Sequence, residues 1–170
     1  MGSRRKAREY ALQMLYQRDV TASSLREVIK MFWTGVESQP DERDFAEQML
    51  RSVTERQVEL DELLERHSTN WKVSRMPPVD RNILRMGAFE LLHVRDVPIG
   101  VTLNEAIELG KSFSGEDAGA FINGILDKIA RQVPVGFKQS RPVYHGPDED
   151  ETDEDETDED KTDEDETDES

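Results

Sequence analysis

The sequence predicts an all-α fold. Apolar residues recur at the 3.6-residue period of a helix, and the two-residue alternation typical of strands is not found. Two Ser/Thr-x-x-Glu patterns precede apolar runs, which is typical of helix N-termini. Prolines at 40, 77, 78 and 134 fall between the helical stretches, where a proline is tolerated. These observations predict two small helical bundles packed together.

The N-terminal half of the chain is predicted to hold three helices. The first spans residues 4–19, and the second is capped by Ser24, with Glu27 completing a capping box. The third begins near Asp41, just past Pro40, and ends around His67. The predicted core-facing residues are Ala7, Ala11, Met14 and Leu15 in the first helix, and Phe45, Met49, Val53, Leu60 and Leu64 in the third.

A break separates this half from the rest of the chain. The pair Pro77-Pro78 disfavours helical geometry in the residues before it, so we expect a subdomain boundary near residues 70–78. The next helix, from Pro78 or Val79 to Val94, is apolar nearly all round, which predicts a central position.

Two further helices complete the prediction. Thr102 and Glu105 form a second capping-box pattern at the start of one, and the segment SGEDAGAFINGILDKIARQ forms the other, which ends before Pro134. Their predicted core-facing residues are Leu103, Ala106, Ile107, Gly110, Phe113, Ala118, Phe121, Ile122, Ile125 and Ile129.

The net charge of −16 is concentrated at the C-terminus. Residues 148–170 hold 17 of the 38 acidic residues and one of the 22 basic ones, which leaves 21 of each in residues 1–147. A segment so charged and without apolar residues is expected to be disordered. We therefore predict one helical domain over 1–140 and a disordered Asp/Glu/Thr-rich tail over 141–170. The tail either keeps the protein in solution or mimics a nucleic acid by folding back on a basic patch.

Composition and motifs argue against an enzyme. There are no cysteines, so disulfides and thiolate metal sites are excluded. No nucleophile elbow, His-Glu-x-x-His helix or phosphate-binding loop is found, and the three histidines, His67, His93 and His145, are too dispersed to suggest a shared site. We expect no catalytic residue, cofactor or metal. Because no run of about 18 apolar residues is present, we also expect no membrane span and a cytoplasmic protein.

The first helix opens with four cations, Arg4, Arg5, Lys6 and Arg8. Such side chains neutralise phosphates, although a solvated helix start is the alternative. Cations at a helix N-terminus are mildly unfavourable, so we expect something external to the helix to compensate them. Tyr16 shares a helix flank with Arg5 and either stacks on an unpaired base, which favours single-stranded RNA, or covers the core.

Glu90 lies on the central helix among apolar residues, and a buried carboxylate needs a partner. We favour a structural ion pair with an arginine such as Arg85 or Arg51. The alternative is a polar anchor in a protein interface.

Three blocks carry a family resemblance: RRKAREYALQMLYQ, PPVDRNILRMGAFELLH and VPIGVTLNEAIELGKSFSGEDAGAFINGILDKIA. Together they span nearly all of residues 4–130 and resemble, in order, the signature blocks of the NusB family. The resemblance implies two three-helix bundles without enzymatic activity. It also implies an RNA-binding adaptor that pairs with NusE, a small-subunit ribosomal protein. The pair binds the boxA element of ribosomal-RNA leaders, joins RNA polymerase with other Nus factors, and suppresses premature termination.

The resemblance also implies site residues. The basic start becomes Arg4, Arg5, Lys6 and Arg8, with Tyr16 as their aromatic neighbour. Phe121 matches a base contact, Asp117 a negative residue that moderates affinity, and Asp80 the acidic position that faces NusE.

Two features depart from the family pattern, namely the acidic tail and the small residues Ala118 and Gly119.

Two other interpretations stay open. NusB-like domains also precede methyltransferase domains in rRNA cytosine methyltransferases, although no Rossmann-type domain follows here. The third interpretation is a helical adaptor that binds protein alone. The sequence does not decide whether the protein forms a homodimer.

Overall fold

A computed structural model describes residues 2–138, and in this range the protein is all-helical, as predicted. The predicted tail, residues 141–170, lies outside the described residues. The seven α-helices and one short 3₁₀ helix are α1 (Arg4–Thr21), α2 (Leu25–Trp33), α3 (Pro40–Glu55), α4 (Gln57–His67), the 3₁₀ helix (Val73–Arg75), α5 (Pro78–His93), α6 (Ile99–Phe113) and α7 (Ala118–Ala130).

The N-termini of α1 and α2 are fixed by serine caps. Ser3 accepts a hydrogen bond from the backbone N–H of Lys6. Ser24 accepts one from the N–H of Glu27, whose carboxylate accepts from the N–H of Ser24, so the predicted capping box is confirmed.

Two predicted elements differ in the structure. The single helix expected from Asp41 to His67 is two helices, because the backbone leaves helical geometry at Arg56, with φ −103° and ψ 12°. The predicted cap at Thr102 is also wrong, since α6 begins at Ile99, directly after Pro98. Thr102 lies inside the helix with its side chain buried, where its hydroxyl donates a hydrogen bond to Glu90.

Helix α5 lies at the centre of the molecule, as its all-round apolar pattern predicts. It packs against α1, α3, α4, α6 and α7, and it is buried continuously from Asn82 to Leu91. One hydrophobic cluster includes residues from all seven helices and continues past the Pro77-Pro78 break. The subdomain boundary near residues 70–78 stays a prediction.

Helices α6 and α7 complete the core. Ala106 and Gly110 are buried as predicted, whereas Phe113, also predicted to face inward, is exposed at the last turn of α6. In α5, Gly87 permits a close approach to α7, because a Cβ atom there would lie 2.6 Å from Cδ1 of Leu126.

Candidate nucleic-acid interface

The exposed arginines at the start of α1 pair with carboxylates from the C-terminal half. Nη2 of Arg4 lies 3.3 Å from Oδ2 of Asp96. Arg5 donates two hydrogen bonds to Glu105, at 3.1 and 2.9 Å. This contact raises the pKa of Arg5, first through the hydrogen bond and then through the charge of Glu105. Both arginine side chains are more than half exposed, at 55% and 57%, so they remain accessible to a ligand.

The N-terminus of α1 is compensated from within the chain. The backbone N–H of Gly2 donates to the carboxylate of Asp41, and that of Ser3 donates to Glu42 at 2.8 Å. Lys6 lies 3.4 Å from Glu9. Negative charge at a helix N-terminus is favourable, so these carboxylates offset the cations. Carboxylates from outside α1 therefore supply the expected compensation, and the binding of an RNA anion at this helix start stays a prediction.

Arg8 does not lie on the surface with the other three cations. Its guanidinium donates two hydrogen bonds to Glu90, at 3.0 and 2.7 Å, and its side chain is 5% exposed. Thr102 donates a third hydrogen bond to the same carboxylate at 2.8 Å. The structural interpretation of Glu90 is thus confirmed, with Arg8 as its partner in place of Arg85 or Arg51.

Tyr16 lies on the surface of α1. Its side chain is 41% exposed, whereas Leu12, one turn earlier, is buried. The predicted flank of Arg5 and Tyr16 is therefore accessible at its two ends, with Leu12 buried between them. A base-stacking role for Tyr16 stays a prediction.

The predicted contacts on α7 lie at its first turn. Asp117 is exposed at the N-cap, and Phe121 follows one turn into the helix, partly buried. The Phe121 ring meets the ring of Trp71 edge to face, with centroids 6.5 Å apart. Trp71 is not among the predicted site residues, although an aromatic residue in the polar stretch HSTNWK is a signal for a surface site.

Asp80, the residue expected to face NusE, lies in the first turn of α5 and is mostly buried. One of its oxygens, Oδ1, is buried without a hydrogen-bond partner within residues 2–138. A carboxylate in the first turn is favourable to the helix dipole, which gives Asp80 a role in the fold itself. Its contact with NusE stays a prediction.

A polar network that the sequence analysis missed joins α1, α4 and α5. Asp19 accepts two hydrogen bonds from Arg81, both 2.6 Å, one from Asn82 at 2.9 Å and one from Arg85 at 3.2 Å. Arg85 also forms a bidentate contact with Asp61, at 2.7 and 2.9 Å. The network fixes the C-terminal part of α1 against the start of α5.

The charge of Asp19 is stabilised by this network. Burial raises the pKa of Asp19, but hydrogen bonds from Arg81 and Asn82, together with the charges of Arg81 and Arg85, outweigh it, so the pKa lies below its ordinary value. The hydrogen bond to Asp19 raises the pKa of Arg81 in turn.

The last described residue, Lys138, anchors the C-terminal segment to α5. Its ammonium donates to the carbonyls of Glu90 and Val94, at 2.7 and 2.6 Å, and its burial lowers its pKa. Arg95 donates to the carbonyl of Phe137 at 3.1 Å. The chain therefore reaches residue 138 beside the C-terminal end of α5.

The described residues contain neither a cluster suited to a metal ion nor a helix suited to a membrane. Residues 2–138 contain no group of three or more His, Asp or Glu placed to hold a metal ion. No helix in this range is both long and apolar enough to cross a bilayer.

Residues 2–138 thus form an all-helical protein with exposed cations at the start of α1 and an aromatic pair beside the start of α7. The model of the NusB family matches residues 5–131. A relative from Desulforapulum autotrophicum is 51% identical over 131 residues, covering 76% of this chain and 92% of its own. One from Myxococcus xanthus is 44% identical over 134 residues, covering 76% and 96%. Both are named transcription antitermination protein NusB. The chain belongs to the NusB family.

Solved structures agree with this assignment. A crystal form of NusB from T. maritima superposes with a TM-score of 0.73 at 32% identity, covering 81% of this chain and 98% of that one. A complex of antitermination factors NusB and NusE with double-stranded RNA superposes with a TM-score of 0.68 at 27% identity, covering 75% and 96%. The NusB-like all-helical fold implied by the family resemblance is confirmed, while its division into two three-helix bundles stays a prediction.

Proposed function

We propose that the protein is a transcription antitermination factor that binds boxA-type RNA of ribosomal-RNA leader transcripts together with NusE. The observation that carries the proposal is family membership, since relatives 43–51% identical are named transcription antitermination protein NusB. The solved NusB–NusE–RNA complex, 27% identical to this chain, supports the choice of partners. In this proposal the complex joins RNA polymerase through other Nus factors.

Phosphates of the RNA replace the carboxylate partners of Arg4 and Arg5. Both arginine side chains are more than half exposed, and solvent screens the attraction between such side chains and their carboxylate partners. Exchange of the exposed Asp96 for a phosphate therefore costs little, and a phosphate beside Arg5 competes with Glu105, while each new contact releases counterions from the RNA. Lys6, also exposed, joins them, whereas Arg8 is a positioning residue that holds α1 against α5 through Glu90.

The aromatic residues supply contacts to bases. Tyr16 and Phe121 both expose part of their rings, and stacking on such rings is how proteins hold unpaired bases. Asp117 repels phosphates at the N-terminus of α7 and so moderates affinity. Asp80 belongs to the surface that faces NusE.

The test is fluorescence anisotropy of a labelled boxA-type single strand, with and without NusE, from low to high salt. We expect binding at low salt, tighter binding with NusE, and weakening as salt rises. The double variant Arg4→Gln/Arg5→Gln is expected to bind more weakly, and Arg26→Gln, an exposed arginine on α2, is the matched control. No binding at low salt, even with NusE present, overturns the proposal.

The same titration separates the two alternatives. A module like that of the rRNA cytosine methyltransferases binds RNA with an affinity that NusE does not increase. A protein-only adaptor binds NusE but leaves the anisotropy of the RNA unchanged.

We also infer a binding function without catalysis, a cytoplasmic location and one helical domain over residues 1–140. The antitermination role named for the relatives supports the first two, and the continuous core supports the third. Truncation after residue 140 tests the domain limit, and we expect the truncated form to keep the unfolding midpoint of the full chain.

Sedimentation with and without NusE determines whether a homodimer competes with the complex.

Removal of residues 148–170 tests the acidic tail. If the tail mimics RNA, the truncated form binds boxA-type RNA more tightly at fixed salt. If the RNA affinity is unchanged, the tail does not mimic RNA, and its role is to keep the protein in solution.

A further inference from the structure

Trp71 is a large aromatic residue whose side chain is exposed to solvent. The chain has two tryptophans, and Trp33 is buried while Trp71 is 52% exposed. Trp71 lies in the short segment between α4 and the 3₁₀ helix, and its ring is positioned edge to face against Phe121 of α7. The pair therefore joins two elements that are far apart in the sequence.

A shallow depression of about 280 Å³ lies beside this pair. It is lined by residues 67–71 on one side and by α7 on the other, including Phe121, Gly124 and Lys128. A Cβ atom at Gly124 would meet no atom within 4 Å, so the glycine leaves space along the α7 wall. The depression thus combines aromatic surface with the polar side chains of Thr69 and Asn70 at its rim.

Two lysines lie at or next to the depression. Lys128 lines it and Lys72 follows Trp71; both are exposed, and neither forms an ion pair with any residue in 2–138. At the start of α1, in contrast, Arg4 and Arg5 are already paired with carboxylates. A ligand that carries negative charge therefore meets unpaired cations here.

We propose that Trp71, together with Phe121, holds one unpaired base of single-stranded RNA in this depression, with Lys128 and Lys72 beside the adjoining phosphates. The inference rests on the proposed function and adds Trp71, Asn70 and the two lysines to its RNA surface. An aromatic face accepts any base, and the Asn70 amide both donates and accepts, which suits the polar edge of a base.

The occupant is RNA because the surface combines stacking with positive charge. A protein segment docking on apolar surface would not require two unpaired lysines beside it, whereas a nucleotide presents an aromatic base and an anion one sugar apart. The ring of Trp71 has the largest π-surface among the side chains, which favours a base over an aliphatic side chain.

Three measurements test the assignment, each with boxA-type single-stranded RNA and NusE present. Trp71→Ala is expected to weaken RNA binding about tenfold or more, as expected for loss of one stacked base, while Trp71→Phe retains most of the affinity. Met31→Ala, which removes an exposed apolar side chain from α2, is the control and leaves affinity unchanged. Circular dichroism and the unfolding midpoint verify that each variant folds.

A scan with abasic nucleotides identifies the base. At one position, RNA that lacks the base is expected to bind the wild type more weakly than intact RNA does. The abasic and the intact RNA are expected to bind Trp71→Ala with equal affinity, because the base and the Trp71 ring form one contact. RNA is also expected to quench tryptophan emission of the wild type and not of Trp71→Phe.

The outcomes distinguish this proposal from the one on which it rests. If the wild type binds RNA but Trp71→Ala binds equally well, or every abasic position weakens both forms alike, the Trp71 site is wrong and the proposed function stands. If Trp71→Ala no longer binds NusE but still binds RNA, the depression is a protein-binding site, which also overturns the proposal. If the wild type binds no RNA, both proposals fail.

Discussion

Replacement of Glu90 by glutamine tests the role of the buried ion pair. The variant keeps the shape of the side chain but removes its charge, which leaves the Arg8 guanidinium, 5% exposed, without a counter-charge. Two hydrogen bonds from Arg8 and one from Thr102 converge on the carboxylate, all within 3.0 Å. Loss of one partner of a buried pair costs about 3–5 kcal/mol, so we expect a loss of that size in the free energy of unfolding.

The assay is urea denaturation followed by circular dichroism at 222 nm. Asp127→Asn is the matched control, since Asp127 forms an exposed pair with Arg131 and its change is expected to cost about 0–1 kcal/mol. Replacing both Arg8 and Glu90 by methionine is expected to recover most of the loss, because no charge is then left unpaired in the core. A Glu90→Gln variant as stable as Asp127→Asn would refute the reasoning.

Three further predictions concern affinity and stability. Glu105→Gln frees Arg5 from its carboxylate and is expected to tighten binding of boxA-type RNA in an anisotropy titration; weaker binding would contradict this. Because the pKa of Asp19 is lowered in the folded state, its stabilising effect is full above about pH 4 and is lost as pH falls through the folded pKa. The difference in unfolding free energy between wild type and Asp19→Asn should therefore shrink on acidification, and a difference independent of pH would contradict it. Gly87→Ala should destabilise the protein by about 1–3 kcal/mol through overpacking, whereas Gly124→Ala, in open space, should stabilise it by up to about 1 kcal/mol in the same urea assay.

Much of the fold was predictable because its signals are local. The cap at Ser24, the all-round apolar pattern of α5 and the break at Pro77-Pro78 each depend on a few adjacent residues. The break at Arg56 was not predictable in this way, since Val53 and Leu60 keep a helical spacing across it and no glycine or proline marks it. At α6 the capping-box pattern of Thr102 and Glu105 predicted the wrong helix start, because the helix already begins at Ile99, directly after Pro98.

The cation cluster at the start of α1 was visible in the sequence, and the pairing of its members was not. A cluster of cations is visible in the sequence, but the partners of Arg5 and Arg8 lie 100 and 82 residues away. Only the packing of α1 and of α6 against α5 brings them together, so the sequence could not separate the exposed Arg5 from the buried Arg8. The equal numbers of acidic and basic residues in 1–147 were the one hint that the cations are paired internally.

Terminator read-through in a purified transcription system tests the central claim most directly. The template carries a boxA element upstream of a terminator, and a matched template carries a scrambled element. With RNA polymerase, NusE and other Nus factors present, we predict that adding this protein raises read-through on the boxA template and not on the scrambled one. Equal read-through on the two templates, or no change when the protein is added, would contradict the account.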